Sequence, residues 1–369
     1  MRMPFRILVP LCLIVLAGLQ ARCGSEKISG PTNMSGATSS PGVVGAAAVG
    51  LWISAPELAG LPESGPGWAN VFNEAQQTCR PPRLSDQEDQ GDVCLLSKAL
   101  VSLRTGDNRY RDEVVSALAA LVASSPYRGR ALALGRQLPA VVTAADLVDL
   151  PQVNPDLDAR FRSFIRNLLH TPTTGGPNDL VECHELRPNN WGNHCGAARA
   201  AIAAYLHDSG EMARVAQVFR GFLGDRASYA GFEYGELDWQ CDPDRPVGIN
   251  RSGCMKDGHS VDGVIPDDQR RGGEFVWPPP RENYVYESLQ GTIVQAAILD
   301  RAGYPAFTWE DRAILRAYRW LQDQASYQAT GDDEWQMHVV NFFYRSNLPA
   351  ALPARPGKNM GWTDWTHRR

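Results

Sequence analysis

Asparagine and histidine bunch together in the run Val181–Leu206, VECHELRPNNWGNHCGAARAAIAAYL. Its first half is polar and turn-rich, with His184, Pro188, Asn189, Asn190, Gly192, Asn193 and His194. Its second half carries Ala198, Ile202, Tyr205 and Leu206 at helical spacing. That pattern places Asn193 and His194 at the mouth of a helix. Free N–H groups and a partial positive charge there make a natural seat for a carboxylate. Asparagine is also a favoured N-cap, so a purely structural role is equally open to Asn193. A second group of candidates lies in 226–284, rich in Gly, Pro, Asp, Arg and Trp. Arg270, Arg271 and Arg281 could form a basic patch for a polyanion. Trp191, Trp239 and Trp277 could stack on sugar faces, or could simply plug the mouth of the fold.

The elements that must position these residues are helices. Apolar periodicity predicts helices over 93–105, 110–124, 129–149, 195–208, 210–224, 285–302, 308–325 and 334–344. Another starts at Asn154 as cap, with Pro155 at the first position and Phe161, Phe164, Ile165 and Leu168 on one face. Thr308 and Asp311 resemble a capping box. No segment alternates strongly enough for a major strand. The fold class expected is therefore all-α over 49–345, followed by an irregular tail over 346–369. The stretches 171–192 and 226–284 interrupt the helices, and long loops in a compact helical domain are usually functional. Paired helices with long loops gathered at one end suggest an α/α toroid. A helical solenoid is the alternative, but no fixed-period repeat is present.

The chain has 369 residues and a net charge of −5, which argues against general nucleic-acid affinity. Arg2 and Arg6 precede an apolar run, Ile7–Leu19, too short to span a membrane comfortably. Residues 1–23 are thus expected to be an export signal and 24–48 a flexible linker, giving a periplasmic or secreted protein with no transmembrane segment. Cys23 allows a lipoprotein anchor, although Arg22 before it fits that processing poorly. Six further cysteines are Cys79, Cys94, Cys183, Cys195, Cys241 and Cys254. Pairing between sequence neighbours is the simplest arrangement, and Cys183–Cys195 would then staple the Asn/His corner. Cys183-His184 and His194-Cys195 are zinc-binding types, but their spacing matches no common site. No metal or cofactor is expected, and a monomer is expected.

Taken together, Asn193-His194, then DGVIPDDQRRG (Asp262–Gly272), then NYVYESLQGTIVQAAIL (Asn283–Leu299) resemble the helical-toroid polysaccharide lyases, nearest to the alginate lyases of polysaccharide lyase family 5. LWISAPELAGLP and RTGDNRYRDEVVSAL look more loosely like the first helices of those lyases. Departures are the Trp-Gly within Asn189–His194, a longer gap between Arg-Gly and Tyr, and the second tyrosine, Tyr286. The activity implied is β-elimination in an anionic, uronic-acid-containing polysaccharide. Its C5 proton is acidic only when the adjacent carboxylate is neutralised, a task for Asn, His and Arg donors. A tyrosine can serve as base and acid if neighbouring cations or donors lower its pKa from about 10.

The resemblance implies Tyr284 as that residue, Asn193 and His194 at the carboxylate, and Arg271 beside them. Tyr286 and Arg270 are the competing assignments, and His184 is close enough in sequence to assist. A glycoside hydrolase would instead need two carboxylates astride the bond, with Glu233, Glu236, Asp238, Asp262 and Asp267 to choose from. A non-catalytic glycan-binding protein is the remaining alternative.

Overall fold

The computed structural model describes residues 50–124 and 126–368. The expected export signal and linker, with Cys12 and Cys23, lie outside the described residues. Fifteen α-helices are formed among the described residues. The first half runs α1 (Ala55–Ala59), α2 (Pro66–Ala75), α3 (Gly91–Thr105), α4 (Asn108–Val122), α5 (Ala131–Leu147), α6 (Leu150–Val153), α7 (Pro155–Leu168) and α8 (Leu180–Leu186). The second half runs α9 (Asn190–Leu206), α10 (Ser209–Leu223), α11 (Pro266–Gln269), α12 (Tyr284–Arg301), α13 (Trp309–Asp323), α14 (Gln336–Tyr344) and α15 (Thr363–Thr366). Every long helix expected from periodicity is present. α8 was not expected, since it falls inside the stretch read as a loop.

Local signals explain several boundaries. Asn154 Oδ1 accepts from the Leu157 N–H at 3.1 Å, and Pro155 opens α7. The capping box at Thr308 does not form. Thr308 donates its hydroxyl to the Pro305 carbonyl instead, and Glu310, Asp311 and Arg312 take positive φ. A left-handed first turn cannot bring Asp311 back onto the cap. The only sheet among the described residues is an antiparallel pair, β1 (Met255–Lys256) with β2 (His259–Ser260). Asp257 and Gly258 connect them, both at positive φ, as a tight Asp-Gly hairpin requires.

α9 is the centre of the packing, lying against α5 and α12 with α8 and α10 also on it. Glycine makes this possible. A Cβ on Gly135 of α5 would lie 2.7 Å from the His194 carbonyl carbon, and one on Gly291 of α12 would strike the Asn193 backbone. With the helices this close, α9 and α12 are buried on nearly all sides, not along one stripe.

The chain after α14 is irregular to Trp362, but it is not peripheral. Trp362 Nε1 donates to the Val93 carbonyl at 2.9 Å, and Trp365 Nε1 to the Pro62 carbonyl at 2.9 Å. Disulfides join Cys79 to Cys94 and Cys241 to Cys254. The third expected bridge is not closed. Cys183 and Cys195 are buried thiols whose sulfurs lie 2.6 Å apart. No described helix is long and apolar enough to cross a membrane.

Candidate active site

Asn193 and His194 are not at a helix mouth. α9 begins at Asn190, and its cap is Asn189, whose Oδ1 accepts from the Trp191 N–H at 3.1 Å. Asn193 and His194 therefore fall within the helix, in the seam between α5 and α12. The helix mouth does hold carboxylates, but they are the protein's own. Asp267 accepts from Asn189 Nδ2 at 2.7 Å, and Asp268 accepts from the Asn190 N–H at 3.2 Å. Turn-forming residues before Asn193 misled the sequence reading, because Asn189 and Asn190 already start the helix and Gly192 continues it.

Within the seam, Asn193 Nδ2 donates to Ser288 Oγ of α12 at 2.7 Å. His194 is fully buried. Its Nδ1 lies 3.3 Å from Asn359 Nδ2, and its Nε2 lies 3.8 Å from a Glu287 oxygen. Burial holds the imidazole pKa down to about 4. Burial pushes Glu287 up, but His194, the Arg136 guanidinium and Lys358 outweigh it and keep the carboxyl at about 2. Arg136 touches Glu287 at 2.5 Å, and Lys358 Nζ lies 3.6 Å from its other oxygen. Arg136 and Lys358 both reach Glu88, at 2.8 and 2.6 Å. A chain of charges thus ties α5, α12 and the C-terminal segment together behind His194.

The open edge of the cluster is made by Arg271 and Tyr284. Arg271 lies in the short 3-10 turn Arg270–Gly272 after α11. Its Nη2 donates to Asn190 Oδ1 at 3.3 Å, and its Cζ sits 4.1 Å from the centroid of the Tyr284 ring. Tyr284 is the first residue of α12 and is 42% exposed. Asp268 Oδ1 is 3.9 Å from Arg271 Nε. Burial pushes the Asp268 carboxyl up to about 8 against the pull of Arg271. Burial thus favours the neutral form of Asp268, which weakens its hold on the Arg271 charge. The neighbouring Arg270 is the opposite case. Its Nε donates to Asp267 at 2.9 Å, and it also bonds Glu236.

The other sequence candidates lie apart from this corner. Tyr286 is a core residue, donating its hydroxyl to the Tyr327 carbonyl at 2.8 Å, and burial raises its pKa. Arg281 donates to the Ser326 carbonyl at 3.0 Å and does not reach Tyr284 as the sequence suggested. Trp239 is also core, its Nε1 donating to the Gly273 carbonyl at 2.9 Å. Trp277 is partly exposed and stacks on His259 at 4.4 Å. Trp191, partly buried, lies against Gly176 of the 171–179 loop. His184 is buried beside Arg199, at 3.4 Å, and burial drives its pKa down. Cys183 and Cys195 meet sulfur to sulfur, but no group of three or more metal-binding side chains occurs among the described residues.

Sequence reasoning missed Asn190, Asp268, Glu287, Ser288, Arg136, Lys358 and Asn359. Arg136 and Glu287 carried a usable signal, each the one charge in a long uncharged stretch of its helix, 131–145 and 284–299. Lys358 and Asn359 carried none. The chain matches no protein-family model, and no curated protein matches it.

Proposed function

We propose that the protein is an exported polysaccharide lyase that cleaves an alginate-like, uronic-acid-containing polysaccharide by β-elimination. The observation that carries this reading is the stacking of Arg271 on Tyr284, 4.1 Å apart, at an exposed edge of a buried polar seam. A weakly paired cation and a phenol side by side are the two groups the elimination needs. The disulfides Cys79–Cys94 and Cys241–Cys254 support an oxidising compartment. The α/α toroid belongs to the same proposal, supported by the packing of consecutive helices on each other around α9 and α12.

In this reading Arg271 neutralises the substrate carboxylate. Asn190, itself fully buried, orients Arg271 by accepting from its Nη2. Asn193 and His194 are too deep to touch a sugar first; they hold the seam from which Arg271 and Tyr284 project. The elimination needs the Tyr284 oxygen as a phenolate, which takes the C5 proton. The C5–H electron pair becomes the C4=C5 double bond, and the C4–O4 bond breaks with its pair on O4. Tyr284 then returns the proton to O4. The nearby guanidinium faces negative charge as it moves among the carboxylate, the phenolate and O4, where fixed donors contribute most.

A hydrolase reading draws on Asp268, a carboxyl whose protonated form burial favours, as a general acid requires. Three of its five sequence candidates are already engaged by arginines. Asp262 bonds Arg316, and Glu236 and Asp267 share Arg270. Incubation with polymannuronate, polyguluronate and glucuronate-containing polymers separates the readings. A lyase raises ultraviolet absorbance through the conjugated double bond. New reducing ends without that absorbance would establish a hydrolase. Retention on the polymer with neither product would establish a binder.

A further inference from the structure

The C-terminal segment contributes residues to this site that no helix supplies. Gly357, Lys358 and Asn359 form a turn closed by the Gly357 N–H donating to the Met360 carbonyl at 2.7 Å. The Lys358 N–H donates to Gln290 Oε1 of α12 at 2.9 Å. Gly357 has no room for a side chain, since a Cβ there would collide with Trp335 Nε1. Lys358 Nζ bridges Glu88 at 2.6 Å and Asp332 at 3.4 Å. The turn is thus pinned by contacts independent of Asn359, and Asn359 itself is fully buried against His194.

We propose that Asn359 is a positioning residue that, with Glu287, fixes His194 as the neutral tautomer protonated on Nε2. A neutral imidazole has one nitrogen bearing hydrogen and one bearing a lone pair. The Asn359 amide nitrogen can only donate, so Nδ1, 3.3 Å away, must be the bare nitrogen. Nε2 faces the Glu287 carboxylate at 3.8 Å, which favours a hydrogen on that side. The reversed arrangement would turn Asn359 Oδ1 toward an Nδ1 hydrogen and set the Nε2 lone pair against a carboxylate. The charged groups facing the ring are Glu287 from α12, Arg136 from α5 and Lys358 from the C-terminal segment. The two cations neutralise Glu287 and leave it no need of a proton from His194. Nε2–H, buried and without a hydrogen-bond partner, is then a fixed neutral donor. His194 cannot take the C5 proton in that state, so the base role stays with Tyr284.

The tautomer stands independently of the lyase reading, and only its effect on turnover rests on that reading. The full chain is labelled with 15N-histidine, and long-range proton–nitrogen correlations are recorded, with His194→Gln to assign the signal. The wild type should show a protonated Nε2 and a bare, hydrogen-bonded Nδ1, unchanged between about pH 5 and 8. Asn359→Asp exchanges the donor for an acceptor and should move the hydrogen to Nδ1, while Asn359→Leu should leave Nδ1 without its hydrogen bond. Hydrogen on Nδ1 in the wild type overturns the proposal without any variant, and so does an unchanged tautomer in a folded Asn359→Asp. On a polymer the wild type cleaves, Asn359→Asp should lower kcat with little change in KM, by disturbing the seam from which Arg271 and Tyr284 project. Full kcat despite a switched tautomer would remove the positioning role. A wild type inactive on every uronate polymer would defeat the lyase reading and leave the tautomer result standing.

Discussion

At the open edge of the site, Tyr284 is 42% exposed and Arg271 faces a carboxyl whose neutral form burial favours. Behind it, Asn193, His194 and Glu287 are sealed among α5, α9 and α12, and each charge there is matched by another. The two regions use similar residue types for different ends. In the seam, pairing offsets the cost of burying charge and fixes geometry. At the edge, one charge is only weakly paired where an anion can reach it. Adjacent residues show the contrast most sharply. Arg270 is held by Asp267 and Glu236 at hydrogen-bonding distance, whereas Arg271 touches a neutral amide and a phenol ring, with the Asp268 carboxyl 3.9 Å away.

The largest expected separation is therefore between these two arginines. Arg271→Ala should cost on the order of 10²–10³ in turnover with little loss of stability. Arg271→Lys should recover only part of it, since the planar fork is lost. Arg270→Ala should do the reverse. It leaves buried Asp267 without its cation, destabilising the fold by roughly 2 kcal/mol while folded molecules keep their turnover. Steady-state kinetics beside thermal melts check both. Equal losses of turnover in the two variants would erase the distinction between edge and seam.

A smaller effect tests the seam through pH. His194 titrates at about 4 in the folded protein because burial disfavours its charge, against about 6.5 unfolded. A folded value below the unfolded one means the stability is whole above about pH 6.5 and is lost as pH falls through about 4. Buried His184 and His367 shift in the same direction. Asp268 has the opposite sign. Its folded value of about 8 means its contribution is whole below about pH 4 and is lost as pH rises through 8. Between about pH 4 and 6.5 the histidines and the aspartates oppose each other, so melting temperature should fall most clearly from about pH 6.5 to 8, where only the aspartates act. Asp268→Asn should shrink the alkaline decline without abolishing it, because buried Asp92 and Asp333 are raised as well. An unchanged alkaline decline in that variant would count against a protonated Asp268.

The helices were legible because their apolar residues repeat at helical spacing, and Asn154-Pro155 marked one start. The candidate corner was legible in part. Residue types singled out Arg271 and Tyr284, but spacing alone could not choose them over Arg270 and Tyr286. That choice depends on which side chain the core claims, and Tyr286 is taken by Tyr318, Tyr327 and Gln322. The depth of Asn193 and His194 was not legible. It depends on Gly135 and Gly291, distant in sequence, meeting α9 from both sides. Nor did anything in the irregular C-terminal stretch announce that Lys358 and Asn359 return to the seam. Such long-range closure leaves no periodic trace.

The central claim is that Tyr284, at the open edge beside Arg271, performs the proton transfers of an elimination. The most direct measurement compares Tyr284→Phe with Tyr286→Phe on a uronate polymer that the wild type cleaves, following double-bond absorbance. Each change removes one hydroxyl and keeps the ring. Tyr284→Phe should bind the polymer and melt like the wild type, yet produce no absorbance. Tyr286→Phe should lose about 1 kcal/mol with its hydrogen bond to Tyr327 and keep its turnover. Elimination surviving in Tyr284→Phe but lost in a folded Tyr286→Phe would contradict the account, and so would elimination surviving in both.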